Sequence, residues 1–119
     1  MKLYTTESQT AKLIELGLEK PKHTFTFKII EHNNVKTDIN MSVSNYSIGE
    51  LIEMLPQYLE YKGGVAGIEI DYYALTIRQN VVMYCDPYMD WVEIQCNDHD
   101  ELIDNLYDMV TILKEEGTI

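Results

Sequence analysis

The run Tyr73-Ala74-Leu75-Thr76-Ile77-Arg78-Gln79-Asn80-Val81-Val82-Met83-Tyr84-Cys85 carries apolar residues at every second position on both sides of a polar break. A period of two marks strands with one buried face. Asp86-Pro87-Tyr88-Met89-Asp90 follows with turn chemistry, and Val92-Glu93-Ile94-Gln95-Cys96 alternates again. Pairing Asp86 with Trp91 across a four-residue loop sets Cys85 against Val92, Met83 against Ile94 and Val81 against Cys96. A three-residue Arg78-Gln79-Asn80 loop adds Ile77, Leu75 and Tyr73 to that face. The expectation is three antiparallel strands sharing one apolar face. The reverse face then carries Tyr72, Ala74, Thr76, Val82, Tyr84, Trp91, Glu93 and Gln95.

Upstream, residues 24–43 read as a second hairpin. Phe25, Phe27 and Ile29 alternate, as do Val35, Thr37, Ile39, Met41 and Val43. A three-residue loop through Asn33-Asn34 pairs Phe27 with Ile39 and Phe25 with Met41, which keeps apolar side chains on one face.

Three segments have helical period. Thr6-Glu7-Ser8-Gln9 fits a capping box, and Gly17 suits the left-handed position after a helix end. Tyr46-Ser47-Ile48-Gly49-Glu50-Leu51 combines a Ser47/Glu50 capping box with a Tyr46/Leu51 hydrophobic staple, and Pro56 breaks or kinks that helix. The last helix is expected to start near Asp98, to bury Leu102, Leu106, Met109, Val110 and Leu113, and to end at Gly117. The fold class is therefore α+β. An antiparallel sheet of about five strands in two hairpin regions joins three helices in the order α-ββ-α-βββ-α. The 119 residues suit a single domain, 1–119.

Composition removes several functions. The chain has 9 Lys+Arg against 20 Asp+Glu and a formal charge of −11. The basic residues are scattered, so direct nucleic-acid binding and an anionic membrane surface are disfavoured. No apolar signal-peptide core or membrane span is present, and a cytoplasmic location is expected. Cys85, Cys96 and His99 could suggest a metal site. In the register above, however, the two cysteines lie four positions apart along the strands, roughly 13 Å at about 3.3 Å per residue. Two buried thiols are expected instead, with no metal and no cofactor. No nucleophile elbow, phosphate loop or dinucleotide fingerprint occurs, so an enzyme is the less favoured class.

Two binding features remain. Tyr72, Tyr84, Tyr88 and Trp91 form an aromatic patch on the reverse sheet face or beside it, suited to a protein partner or to self-association as a homodimer. Glu101, Asp104, Asp108 and Glu115 make an acidic stripe on the last helix, and the alternative function is an inhibitor that mimics a phosphate backbone.

Thr5-Thr6-Glu7-Ser8-Gln9 with Leu16-Gly17-Leu18 and Pro21 resembles the opening of short uncharacterised proteins from phages, prophages and mobile elements of Bacteroides-like bacteria. Tyr46-Ser47-Ile48-Gly49-Glu50-Leu51-Ile52 is similar to their middle helix. Asp98, Leu102-Ile103-Asp104 and Leu106, running to Leu113-Lys114-Glu115-Glu116-Gly117, resembles their closing helix. The resemblance implies an origin in such elements and carries no functional residue over.

Overall fold

The computed structural model describes residues 1–21, 25–27, 41–43, 45–61, 71–86 and 92–119. Its elements run α1 (Glu7–Glu15), β1 (Phe25–Phe27), β2 (Met41–Val43), α2 (Ile48–Met54), β3 (Tyr58–Tyr61), β4 (Asp71–Arg78), β5 (Val81–Cys85), β6 (Val92–Cys96) and α3 (Leu102–Glu115). The α+β class and the three helices match expectation. The strand order differs by one: β3 precedes the three expected strands, and β3-β4-β5-β6 form a four-stranded antiparallel meander. β1 and β2 pair separately, with Phe27 opposite Met41 and Phe25 opposite Val43, two residues from the expected register. The Asn33-Asn34 turn lies outside the described residues.

Local chemistry explains the helix ends. The Thr6 hydroxyl accepts the Gln9 N–H at 3.1 Å, and the Gln9 side chain accepts the Thr6 N–H at 2.9 Å. Ser47 and Glu50 do the same for α2. Each box satisfies two of the N–H groups that a helix start leaves without partners. At the other ends, Gly17 and Gly117 hold φ of 96° and 76°, where a Cβ would be strained. The N–H groups of Gly17 and Leu18 then close onto Ile14 and Leu13, and those of Gly117 and Thr118 onto Lys114 and Leu113.

The N-terminal segment is tied to the start of α2 by a directed chain of buried hydroxyls. Tyr46 N–H donates to Thr5 Oγ1 at 3.0 Å, and Thr10 Oγ1 donates to Asn45 Oδ1 at 2.7 Å. The Thr5 and Thr10 hydroxyls are 2.7 Å apart. Since Thr10 has already given its proton, Thr5 must be the donor between them.

α3 packs across β5 and β6, and α2 packs on α3. Leu13, Tyr46, Leu51, Leu55, Ile103, Leu106, Met109, Val110 and Leu113 meet Tyr73, Val82, Tyr84 and Cys96 of the sheet in one core. α3 begins at Leu102 rather than near Asp98, and its N-cap Glu101 makes no side-chain cap. Asn105 does the anchoring instead. This fully buried amide accepts the His99 N–H at 3.2 Å and donates to the carbonyls of His99 at 2.9 Å and Asn80 at 2.7 Å. The amide itself is buried and the three bonds are part-buried, so removing it takes a partner from three backbone groups at once.

Asn105→Ala is expected to lower stability by about 2–4 kcal/mol, read as a urea midpoint shift at unchanged slope. A loss below about 1 kcal/mol would show that the amide does not hold the start of α3.

Candidate functional site

Which residues lie on the outer sheet face depends on register. Gln79 and Asn80 hold φ of 48° and 69°, and Arg78 pairs with Val81. This is a two-residue turn of the primed type, whose twist matches that of the flanking strands. It replaces the three-residue loop expected from the sequence and shifts β5 by one position. A shift of one turns every side chain of β5 to the opposite face. Ile77 pairs with Val82, and Leu75 with Tyr84. On the far side, Tyr84 pairs with Ile94 and Val82 with Cys96. The expected Cys85–Val92 pair does form, but a bulge between it and Tyr84–Ile94 shifts the remainder of the ladder.

Tyr84 therefore leaves the aromatic patch. It is 0% exposed, and its hydroxyl donates to the Pro56 carbonyl at 2.7 Å. Val82 moves into the core with it, whereas Val81, Met83 and Cys85, expected in the core, lie on the outer face beside Ala74 and Thr76. Tyr72 is on the outer face as expected, 53% exposed. Its ring meets that of Tyr58 edge-on, with centroids 6.3 Å apart. Tyr58, 61% exposed, comes from β3, the strand missed by the sequence reading. The alternation Tyr58-Leu59-Glu60-Tyr61 was the available signal. Tyr88 and Trp91 lie outside the described residues.

The acidic stripe is divided among intramolecular contacts. Asp104, 9% exposed, accepts Gln9 Nε2 at 2.8 Å and lies 3.5 Å from the Lys2 ammonium. Glu101 accepts the Lys2 backbone N–H at 3.1 Å, and Asp108 Oδ2 is 2.9 Å from His99 Nε2. Asp104 is thus a buried strut between α1 and α3 rather than part of a displayed row. Such engaged carboxylates do not present the open, evenly spaced charge of a phosphate backbone.

Cys85 and Cys96 occupy opposite faces of the sheet, which rules out a shared metal or a bridge between them. Among the described residues no group of three or more His, Cys, Asp and Glu is arranged to hold a metal ion. Cys85 Sγ is 3.2 Å from Thr76 Oγ1. Burial pushes the Cys96 thiol from its ordinary 9.0 up to about 11, with the Asp108 and Asp98 carboxylates adding to the effect. A thiol held protonated in this way is a poor nucleophile at neutral pH. Burial likewise raises Tyr84, and it raises Tyr46 together with the Glu50 carboxylate. A recess of about 190 Å³ is lined by Glu19, Lys20, Glu50, Glu53 and Met54, and the Glu50 carboxylate there accepts the Ser47 N–H of the α2 cap. Among the described residues no helix is long and apolar enough to cross a membrane. Comparison with known protein families, curated proteins and solved structures returns no match to this chain.

The raised groups set a pH dependence. Above pH 9.0 the unfolded chain releases the Cys96 proton while the folded chain keeps it, so this contribution to stability is whole below pH 9 and lost as pH rises through about 11. Tyr46 and Tyr84 add losses of the same sign above their ordinary 10.0. Denaturant titrations are expected to show stability falling from pH 9 upward, with a shallower fall between 9 and 10 in Cys96→Ala. Iodoacetamide at pH 8 should alkylate Cys85 in the native protein and reach Cys96 only after unfolding. Equal native rates at both thiols would contradict this assignment.

Proposed function

We infer that this chain is a small non-catalytic interaction domain of phage or mobile-element origin, working in the cytoplasm and binding protein through the outer face of its four-stranded sheet. The observation that carries the reading is the exposed Tyr58–Tyr72 pair on a face that none of the described helices covers. Tyrosine gives large contact area at low conformational cost and keeps a hydroxyl for hydrogen bonding. The surrounding outer-face residues, Ala74, Thr76, Val81, Met83 and Cys85, are partly buried and mostly apolar. Exposing such a strip costs solubility, and contiguous apolar patches on soluble proteins commonly mark contact sites. The origin rests on the resemblance of the opening, middle and closing helical motifs. The cytoplasmic setting agrees with two thiols that cannot bridge. The division of Glu101, Asp104 and Asp108 among internal contacts weighs against the phosphate-mimic alternative.

Site-specific photo-crosslinking tests the face directly. With p-benzoylphenylalanine at position 72, irradiation in cells of the source organism is expected to give a discrete protein adduct. The same group at exposed Glu115 on α3 should give none. Adducts from both positions, or from neither, would remove the outer face as a docking site.

A further inference from the structure

We propose that the partner on this face is an amphipathic helix of another protein, its apolar stripe bordered on both sides by Lys or Arg. The inference rests on the docking face proposed above and adds the chemistry of the occupant. Backbone hydrogen bonding selects a helix. A strand laid on a sheet face finds no ladder there for its N–H and C=O groups, whereas a helix pairs its own. The inner face already shows the arrangement, with α3 packed across β5 and β6. A helix on the outer face adds a third layer of the same kind.

Charge selects the border. On the described outer face the apolar middle is Ala74 of β4 with Val81, Met83 and Cys85 of β5. Exposed Glu60 flanks it on β3, and exposed Glu93 flanks it on β6. Neither carboxylate joins an ion pair among the described residues. Three strand spacings of about 4.8 Å set β3 and β6 about 14 Å apart, enough to straddle a helix about 10–12 Å across. Lys or Arg at the margins of such a helix lay their stems on the apolar middle and bring their charge to the two carboxylates. On the β3 side the exposed rings of Tyr58 and Tyr72 add a surface for a guanidinium. Arg78, at the end of β4, meets the carbonyl end of a helix that runs in the direction of that strand. The chain's charge of −11 draws a basic partner from a distance. It also turns away a second copy, because α1, α2 and α3 each hold more acidic than basic residues.

Selection from a displayed library tests the occupant. The probes are single helices on a three-helix scaffold, randomised on one exposed face, with the wild-type chain as bait at physiological salt. The enriched helices are expected to carry an apolar stripe with Lys or Arg on both sides. Glu60→Lys and Glu93→Lys should each weaken their binding about fivefold or more. Glu115→Lys makes the same change in net charge at an exposed position of α3 and should weaken binding by less than about twofold. Exchanging the probe's basic residue nearest position 60 for Glu should restore binding to the Glu60→Lys variant to within about threefold of the original pair. Unchanged urea midpoints establish that each variant is folded. Enriched helices that depend on Tyr72 but lack the basic border overturn the proposal and leave the docking face standing. Equal weakening by Glu60→Lys and Glu115→Lys reduces the attraction to net charge and overturns it as well. No enriched helix, or helices indifferent to Tyr72→Ala, Glu60→Lys and Glu93→Lys, would overturn the docking face together with its occupant.

Discussion

Gln79 and Asn80 both occupy the left-handed region, and the turn they make is held from outside by α3. Asn105 donates to the Asn80 carbonyl, while the Asn80 side chain donates to the Asp100 carbonyl at 2.8 Å. The turn, the segment before α3 and the first turn of α3 therefore form one hydrogen-bonded unit. That unit sets the parity of β5. Lengthening the loop by one residue would move the carbonyl that Asn105 needs and leave a buried amide short of a partner, at a cost of roughly 1–3 kcal/mol. With the parity set, Val82 and Tyr84 enter the core, and Tyr84 reaches across to Pro56, where α2 gives way to β3. A contact at one end of the sheet thus determines what anchors the other.

The features legible in the sequence are those written in a few adjacent residues. Thr6 with Gln9, and Ser47 with Glu50, announce helix starts because the cap needs an oxygen at one position and a second acceptor three residues on. The stripe Leu106, Met109, Val110 and Leu113 announces a helix because burial repeats with the turn. β5 could not be read in the same way. Val81, Val82, Met83, Tyr84 and Cys85 are all apolar, so either parity buries a plausible set. The decision passed to the flanking loop, where Gln79 is an unusual residue for positive φ and gave no warning of a two-residue turn. The Glu93 region hid a bulge for a related reason: alternation in β6 survives it on one side only. Asn105 was invisible as an anchor, because its partners are backbone groups of His99 and Asn80, which no side-chain pattern marks.

The acidic residues show how little a charge count says about a surface. Asp104 belongs to the α1–α3 junction, Glu101 holds the N-terminal segment, and Asp108 faces His99. Carboxylates near the N-terminal end of α3 also meet the favourable end of its dipole. Much of the stripe is thus committed to internal contacts. The candidate site moved in consequence, from an acidic helix and a four-residue aromatic patch to a sheet face with one exposed tyrosine pair.

The two faces of β5 make the surface a consequence of the core. Either parity would leave an apolar set outside, Val82 with Tyr84 or Val81 with Met83 and Cys85. The turn selects the parity that buries the larger aromatic ring and gives its hydroxyl a carbonyl partner. The remaining set is flatter and lacks a phenol that would need satisfying, so it can pack against another apolar surface without leaving a donor unpaired. Tyr58 and Tyr72 stand at the margin of this set, where their hydroxyls stay in water and their rings can still close over a neighbour. The make-up of this face follows from the same two residues, Gln79 and Asn80, that set the interior.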